Sequence, residues 1–313
     1  MSSHLLVASR TTTPVGSVSR GIGTFGLLSA VVRTARPRQW LKNALVLAAP
    51  AAGGVILVPT TATAAIWAAA VFTLASASTY FVNDARDVDA DRRHPTKSRR
   101  PVAAGLLAPL AAHRIGLALA VVALAAAVPL GWPLVSVIAT YLTLTFAYST
   151  WLKNQPVLDI LAVAAGFVLR AIAGAAATGV APSSWFLLVS LFGSLFIVTA
   201  KRASEQAHAH EASTLRATLL AYPPGWLQQV LTVSVTGTLL AYATWAVQDI
   251  GADVSAPILA LSVLPFLAIM LRYSLLVARG DGEAPETVIT SDRFLLIALI
   301  VWAALVGGAL YLA

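Results

Sequence analysis

The chain has 313 residues, of which 58% are hydrophobic and 11% charged, and its mean hydropathy is +0.80. An ordinary soluble domain carries roughly 25% charged residues, so this composition excludes a water-soluble globule. The formal charge of +8 attracts polyanions in general, and the lack of cysteine excludes disulfides and thiolate metal sites.

In chain order, residues 1–34 are rich in Ser, Thr and Gly and lack a signal peptide's continuous apolar core. They read as a flexible cytoplasmic tail ending in a short surface helix near Phe25 to Val32. Residues 35–313 read as one polytopic all-α membrane domain. Apolar stretches near the roughly 20 residues needed to cross a bilayer predict nine spans. These are 41–58, 64–82, 106–128, 133–149, 157–178, 185–200, 227–247, 257–277 and 294–312. Of the 21 Lys and Arg, only Arg114, Arg170 and Arg272 fall well within spans, and the rest, with Lys42 at the mouth of the first span, lie in segments on one side if the N-terminus is inside. The opposite loops carry Asp249 and Asp253 alone among charged groups. Positive residues in short loops mark the cytoplasmic side, which predicts N-terminus inside and C-terminus outside. The same confinement argues against nucleic acid as partner and for anionic headgroups and phosphorylated substrates.

The most informative segment follows span two, where Asp84, Asp87, Asp89 and Asp91 are succeeded by Arg92, Arg93, Lys97, Arg99 and Arg100. If span two continues as a helix, Asp84, Asp87 and Asp91 stand three and four residues apart and share one face. Three carboxylates so placed repel one another unless a cation neutralises them. Hard oxygen donors suit Mg²⁺, which takes a few carboxylates, waters and substrate phosphate oxygens. The bland alternative is a solvated loop whose charges compensate one another.

The string Asn83-Asp-x-x-Asp-x-x-x-Asp91 resembles the first aspartate-rich motif of the UbiA superfamily of intramembrane prenyltransferases. Its extension through His94, Lys97, Arg100 and Pro101 resembles the decaprenyl-phosphate phosphoribosyltransferase branch. Further matches are Arg36-Pro-Arg-Gln-Trp-Leu-Lys42-Asn43, Leu152-Lys153-x-x-Pro156-x-x-Asp159 and Lys201-Arg202-x-x-Glu205. The resemblance implies a UbiA-like helical bundle with a cytoplasm-facing site. Asp84, Asp87 and Asp91 would be catalytic as the ligands of Mg²⁺. Lys42, Asn43, Asn83, Lys97, Arg100, Lys153, Asp159, Arg170, Lys201, Arg202 and Glu205 would contact substrate. The implied substrates are phosphoribosyl diphosphate and a polyprenyl phosphate held against the bilayer, and the implied product feeds arabinan synthesis in actinobacterial cell walls. A homo-oligomer is left open.

One departure bears on the branch. Most superfamily members carry a second paired-aspartate motif near span five, whereas here Asp159 stands with Gln155 and Val163 four residues to either side. Lys153, Arg170, Lys201 and Arg202 make that pole cationic instead, which suits a site holding a diphosphate and a separate phosphate. An aromatic-acceptor prenyltransferase would normally need the missing pair. A lipid or sugar phosphate transporter would spread its charges through the bilayer depth. Arg170 lies inside a span, where a charge is functional or paired by default; its structural alternative is a pair with Asp159 or a carbonyl. Lys42 could merely snorkel, and Asn43 could line a pocket or cap a helix. His94, His208 and His210 have no metal-ligand spacing.

Overall fold

The computed structural model describes residues 24–207, 217–248, 255–280, 288 and 291–312. Among these residues the secondary structure is helical throughout, and eight helices are long and apolar enough to cross a membrane. They are α3 (Pro59–Arg86), α5 (Pro109–Ala127), α6 (Trp132–Thr150), α7 (Leu158–Thr178), α8 (Ser184–Ala207), α10 (Trp226–Gln248), the pair α11 (Ser255–Leu261) and α12 (Val263–Ala278), and α13 (Arg293–Tyr311). Each coincides with an expected span. Their outward faces carry Leu117, Val121, Leu240, Ile297 and Ile300 exposed, an arrangement stable against acyl chains and unfavourable in water. The protein is a multi-pass membrane protein.

The first expected span is built differently. A 3₁₀ helix covers Pro37–Leu47 and passes into α2 (Ala48–Ala52). A 3₁₀ helix rises about 2.0 Å per residue and an α-helix 1.5 Å, so this segment covers about 30 Å, the depth of the hydrocarbon core. Its two ends are fixed at opposite ends of the bundle. Arg36, just before it, pairs with Asp84 near the C-terminus of α3, and the Ala51 carbonyl accepts from the Tyr311 hydroxyl at the end of α13 (2.6 Å). Before it, α1 (Thr24–Ala35) takes up the end of the expected tail. This helix buries Ala30 against Phe81, Val102 and Leu107 while exposing Phe25 and Leu28, as a helix lying at a membrane surface does.

Small residues let the 3₁₀ span approach α7 closely. Pro50 has no N–H to return to the carbonyl of Val46 four residues earlier. That carbonyl faces the bare Cα of Gly174, where a Cβ would overlap it. Around this contact Val46, Phe72, Leu134, Ile138, Tyr141 and Ala173 form a closed core, with the Phe72 and Tyr141 rings 4.5 Å apart. A second core joins α8, α10, α12 and α13 through Phe196, Leu231, Tyr273 and Leu295.

A β-carbon at Gly174 meets backbone, which cannot rotate away, so Gly174→Val should destabilise the fold by about 1–3 kcal/mol. Gly307→Val, at a position with nothing within 4 Å, should be neutral. Apparent melting temperatures of the two purified variants in detergent check this.

Candidate functional site

The helices alternate in direction, so the ends of α3, α6, α8 and α12 meet the starts of α5, α7, α10 and α13 at one pole of the bundle. The predicted carboxylates lie there. Helix α3 ends at Arg86 because Asp87 leaves helical geometry (φ −90°, ψ 10°), its N–H bonding the Asn83 carbonyl at 2.9 Å. The same residue starts α4 (Val88–Arg93) by accepting the Asp91 N–H at 2.8 Å.

That turn divides the carboxylates instead of leaving three on one helical face. Asp84, 1% exposed, and Asp91, 4% exposed, both accept from Nη1 of Arg100 at 3.3 and 2.7 Å. Asp84 also pairs with Arg36, whose guanidinium lies 4.6 Å from the Tyr80 ring centre. Asp87 turns the other way and takes the Lys153 ammonium at 3.0 and 3.2 Å. Asp89 faces solvent and pairs with Arg92 one turn on. Arg100 is brought back to the acids by a turn that His94 organises: its Nδ1 accepts the backbone N–H groups of Thr96 and Lys97 at 3.3 and 3.4 Å. Burial first, and the Lys97 ammonium next, hold the imidazole below its ordinary range.

A second cluster surrounds Asp159, fully buried in the first turn of α7. One carboxylate oxygen accepts from the Tyr222 hydroxyl at 2.5 Å, the other from Thr218 at 3.2 Å. Arg202, 4% exposed, puts Nε 3.4 Å from that second oxygen, an ion pair without hydrogen-bond geometry. Its Nη1 reaches Glu205 at 2.9 Å and its Nη2 the Tyr148 hydroxyl at 3.3 Å. Lys201, next to it, faces outward exposed. Because Lys153 precedes Asp159 by six residues, one short segment ties the two clusters together.

Arg170 and Asn43 lie elsewhere. Twelve residues into α7, Arg170 is about 18 Å along the helix from its start. It donates to the Asn43 side chain (2.9 Å), the Gly166 carbonyl (2.7 Å) and the Tyr141 hydroxyl (3.3 Å). The rings of Phe72, Tyr141 and Phe167 lie 5.0–5.3 Å from its guanidinium carbon. Asn43 in turn donates to Thr73 and Ser76. Of the two structural partners the sequence suggested for Arg170, it takes a carbonyl and not Asp159. It pins the 3₁₀ span to α3, α6 and α7. Lys42, on the 3₁₀ span, and Lys97, in the turn after α4, are half-buried, while His208 and His210 fall outside the described residues.

Sequence reasoning did not single out Arg36, Tyr148, Thr218 or Tyr222 as site residues. Arg36 stood in a quoted motif. The hydroxyls had no local signal, since an isolated Tyr or Thr in an apolar chain is ordinary.

A family model described as the UbiA prenyltransferase family matches residues 43–300. The decaprenyl-phosphate phosphoribosyltransferase of Corynebacterium glutamicum is 40% identical over 299 residues, covering 91% of this chain and 88% of that protein. The one of Mycobacterium tuberculosis is 41% identical over 288 residues, covering 90% and 95% respectively. Among solved structures, a UbiA homologue from Archaeoglobus fulgidus bound to GPP and Mg²⁺ superposes with a TM-score of 0.68. At 20% identity it covers 91% of this chain and all of its own, a likeness of fold.

The burial of Arg170 has a direct consequence. Truncation strands the Asn43 oxygen and removes a donor from the Tyr141 hydroxyl, and a stranded buried group costs about 1–3 kcal/mol. Arg170→Ala should therefore lower yield and apparent melting temperature sharply, whereas Lys201→Ala should leave both near wild type. Size-exclusion profiles and thermal melts of the two variants check this.

Proposed function

The chain belongs to the UbiA prenyltransferase family, and from that premise we propose that it transfers 5-phosphoribose from 5-phosphoribosyl 1-diphosphate to decaprenyl phosphate. The bond between ribose C1 and the diphosphate oxygen breaks, a lipid phosphate oxygen bonds to C1, and diphosphate leaves. The relatives' names supply the substrates. The observation in this chain that carries the reading is the makeup of the pole. One carboxylate cluster and a set of cations converge there, with Lys153 on Asp87, while at the second cluster Asp159 and Glu205 are joined through Arg202 in place of the paired-aspartate motif expected of prenyl diphosphate chemistry.

The lipid phosphate is already ionised near neutral pH, so the reaction needs no strong general base. The protein's tasks are to position two anions side by side and to stabilise the leaving charge. Arg36, Arg100, Lys97, Lys153 and Arg202 are the proposed phosphate contacts, with Lys201 at the rim. Asp84, Asp87 and Asp91 are hard oxygen donors, and each already holds a cation, so their surroundings suit positive charge. Among the described residues no three acidic or His side chains close into a cage of their own. Mg²⁺ takes few protein ligands and completes its shell with waters and substrate phosphate. These aspartates would hold it, and it would supply charge neutralisation on the departing diphosphate.

The excess of Lys and Arg at this pole supports a cytoplasmic N-terminus and active site with the C-terminus outside. The acyl chain of the acceptor would lie along the exposed apolar helix faces. The product would enter arabinan precursor synthesis of an actinobacterial cell wall.

The reaction class is tested by offering purified protein radiolabelled phosphoribosyl diphosphate with decaprenyl phosphate and, separately, a prenyl diphosphate with aromatic acceptors. Label should enter the lipid extract in the first case, and turnover only in the second would overturn the reading. Asp84→Asn and Asp87→Asn should remove nearly all transfer, and EDTA should do so reversibly. Arg202→Ala should lower kcat/KM about tenfold to a hundredfold, the loss of one charged hydrogen bond, with a smaller effect for exposed Lys201→Ala.

A further inference from the structure

Two non-glycine residues among those described have positive φ, and each adjoins one of the carboxylate clusters. Arg36 (φ 54°) is one, and Val157 (φ 70°, ψ −49°) is the other. Val157 is the central residue of a γ-turn, with the Leu158 N–H donating to the Pro156 carbonyl at 2.8 Å. The positive-φ form of this turn is rare and strained, and a β-branched residue there is a true outlier. Such a conformation persists only where the surroundings over-determine it, and it clusters at functional sites. Burial of the Val157 side chain does not hold it, since that side chain is 43% exposed.

The Val157 carbonyl accepts the Ile160 and Leu161 N–H groups at 3.1 and 2.9 Å, and the Val157 N–H is held by a hydroxyl from another part of the chain. Tyr222, between α9 (Ala217–Ala221) and α10, accepts the Val157 N–H at 2.8 Å and donates to Asp159 at 2.5 Å. Its donor capacity is thereby filled, and one lone pair is used. The ring is 6% exposed and stacks on Trp226 at 4.4 Å and 10°, so the hydroxyl is delivered on a rigid support. Burial, reinforced by the Asp159 carboxylate, pushes the phenol up to about 12, so it stays a donor throughout the working range. Immediately before the turn, the short 3₁₀ helix Leu152–Asn154 carries Lys153 onto Asp87. Immediately after it, Asp159 meets Arg202. The direction of the chain at Val157 thus sets where both pairs sit.

We infer that Tyr222 is a positioning residue for diphosphate binding: its hydroxyl locks the Val157 turn and so holds Lys153 on the first carboxylate cluster and Asp159 on Arg202. The assignment of diphosphate to this pole rests on the proposed function; the clamp itself does not. Tyr222, remote in sequence from the first motif, thereby becomes part of the binding machinery.

The test uses full-length protein in detergent with Tyr222→Phe, which keeps the ring and its stack. Val157→Gly is combined with it, because glycine adopts positive φ without strain. Three readouts are taken: hydrogen exchange of the 155–162 segment, Kd for inorganic diphosphate with Mg²⁺, and KM for phosphoribosyl diphosphate and for decaprenyl phosphate. Tyr222→Phe should raise exchange in that segment and weaken diphosphate about tenfold, the loss of one charged hydrogen bond. It should raise KM for the donor much more than for the lipid, and Val157→Gly should recover part of each loss. Unchanged exchange in Tyr222→Phe would overturn the clamp. Raised exchange with unchanged diphosphate Kd would reduce Tyr222 to a fold residue and overturn the positioning role. If wild-type protein transfers no phosphoribose, the proposed reaction fails, and exchange with diphosphate affinity still decides the role of Tyr222.

Discussion

Charge buried without a partner is too costly to persist, and this constraint organises the functional pole. Asp84 is placed where water scarcely reaches it, and two arginines from different parts of the chain must converge on it. One arrives from the entry to the first span and the other from the loop after α4. Those convergences fix the start of the 3₁₀ segment, the fold of the loop and the end of α3 at once. The same rule repeats at Asp87 with Lys153 and at Asp159 with Arg202. Removing a partner from a buried pair is far more damaging than its net contribution suggests, so these contacts specify the architecture more than they add stability.

The polar pin at Arg170 obeys the rule by another route. With no carboxylate beside it, the guanidinium is satisfied by an amide, a carbonyl, a hydroxyl and three aromatic rings. Such a solution is available only where several helices crowd together. It explains why an irregular first span is tolerated: Asn43, at mid-depth in the 3₁₀ stretch, is held on both sides by hydrogen bonds.

Much of this was legible in the chain. Apolar runs gave the positions of the spans, because the bilayer imposes length and polarity on every crossing segment. The charged motifs marked the pole, since little else in the chain is charged. The distinction between 3₁₀ and α geometry in the first span was not legible, because both bury an apolar run equally well. Nor was the break at Asp87, which turns one expected face into two pairings. Asp has no strong preference against that helix position, and the decision is made by Arg100 and Lys153 from elsewhere. Tyr222 and Thr218 were invisible for a related reason: their partner Asp159 lies about 60 positions away, and single-sequence patterns report only neighbours.

The hydrogen bond between Tyr311 and Ala51 spans 260 positions of sequence. At about 5–20 residues per second of synthesis, the first segment waits on the order of tens of seconds for that partner. During that interval it has no complete helix packing around it, and its 3₁₀ stretch must be held in the lipid by α3 and α7, which emerge earlier. The seam between the first and last spans therefore closes only after translation is nearly finished.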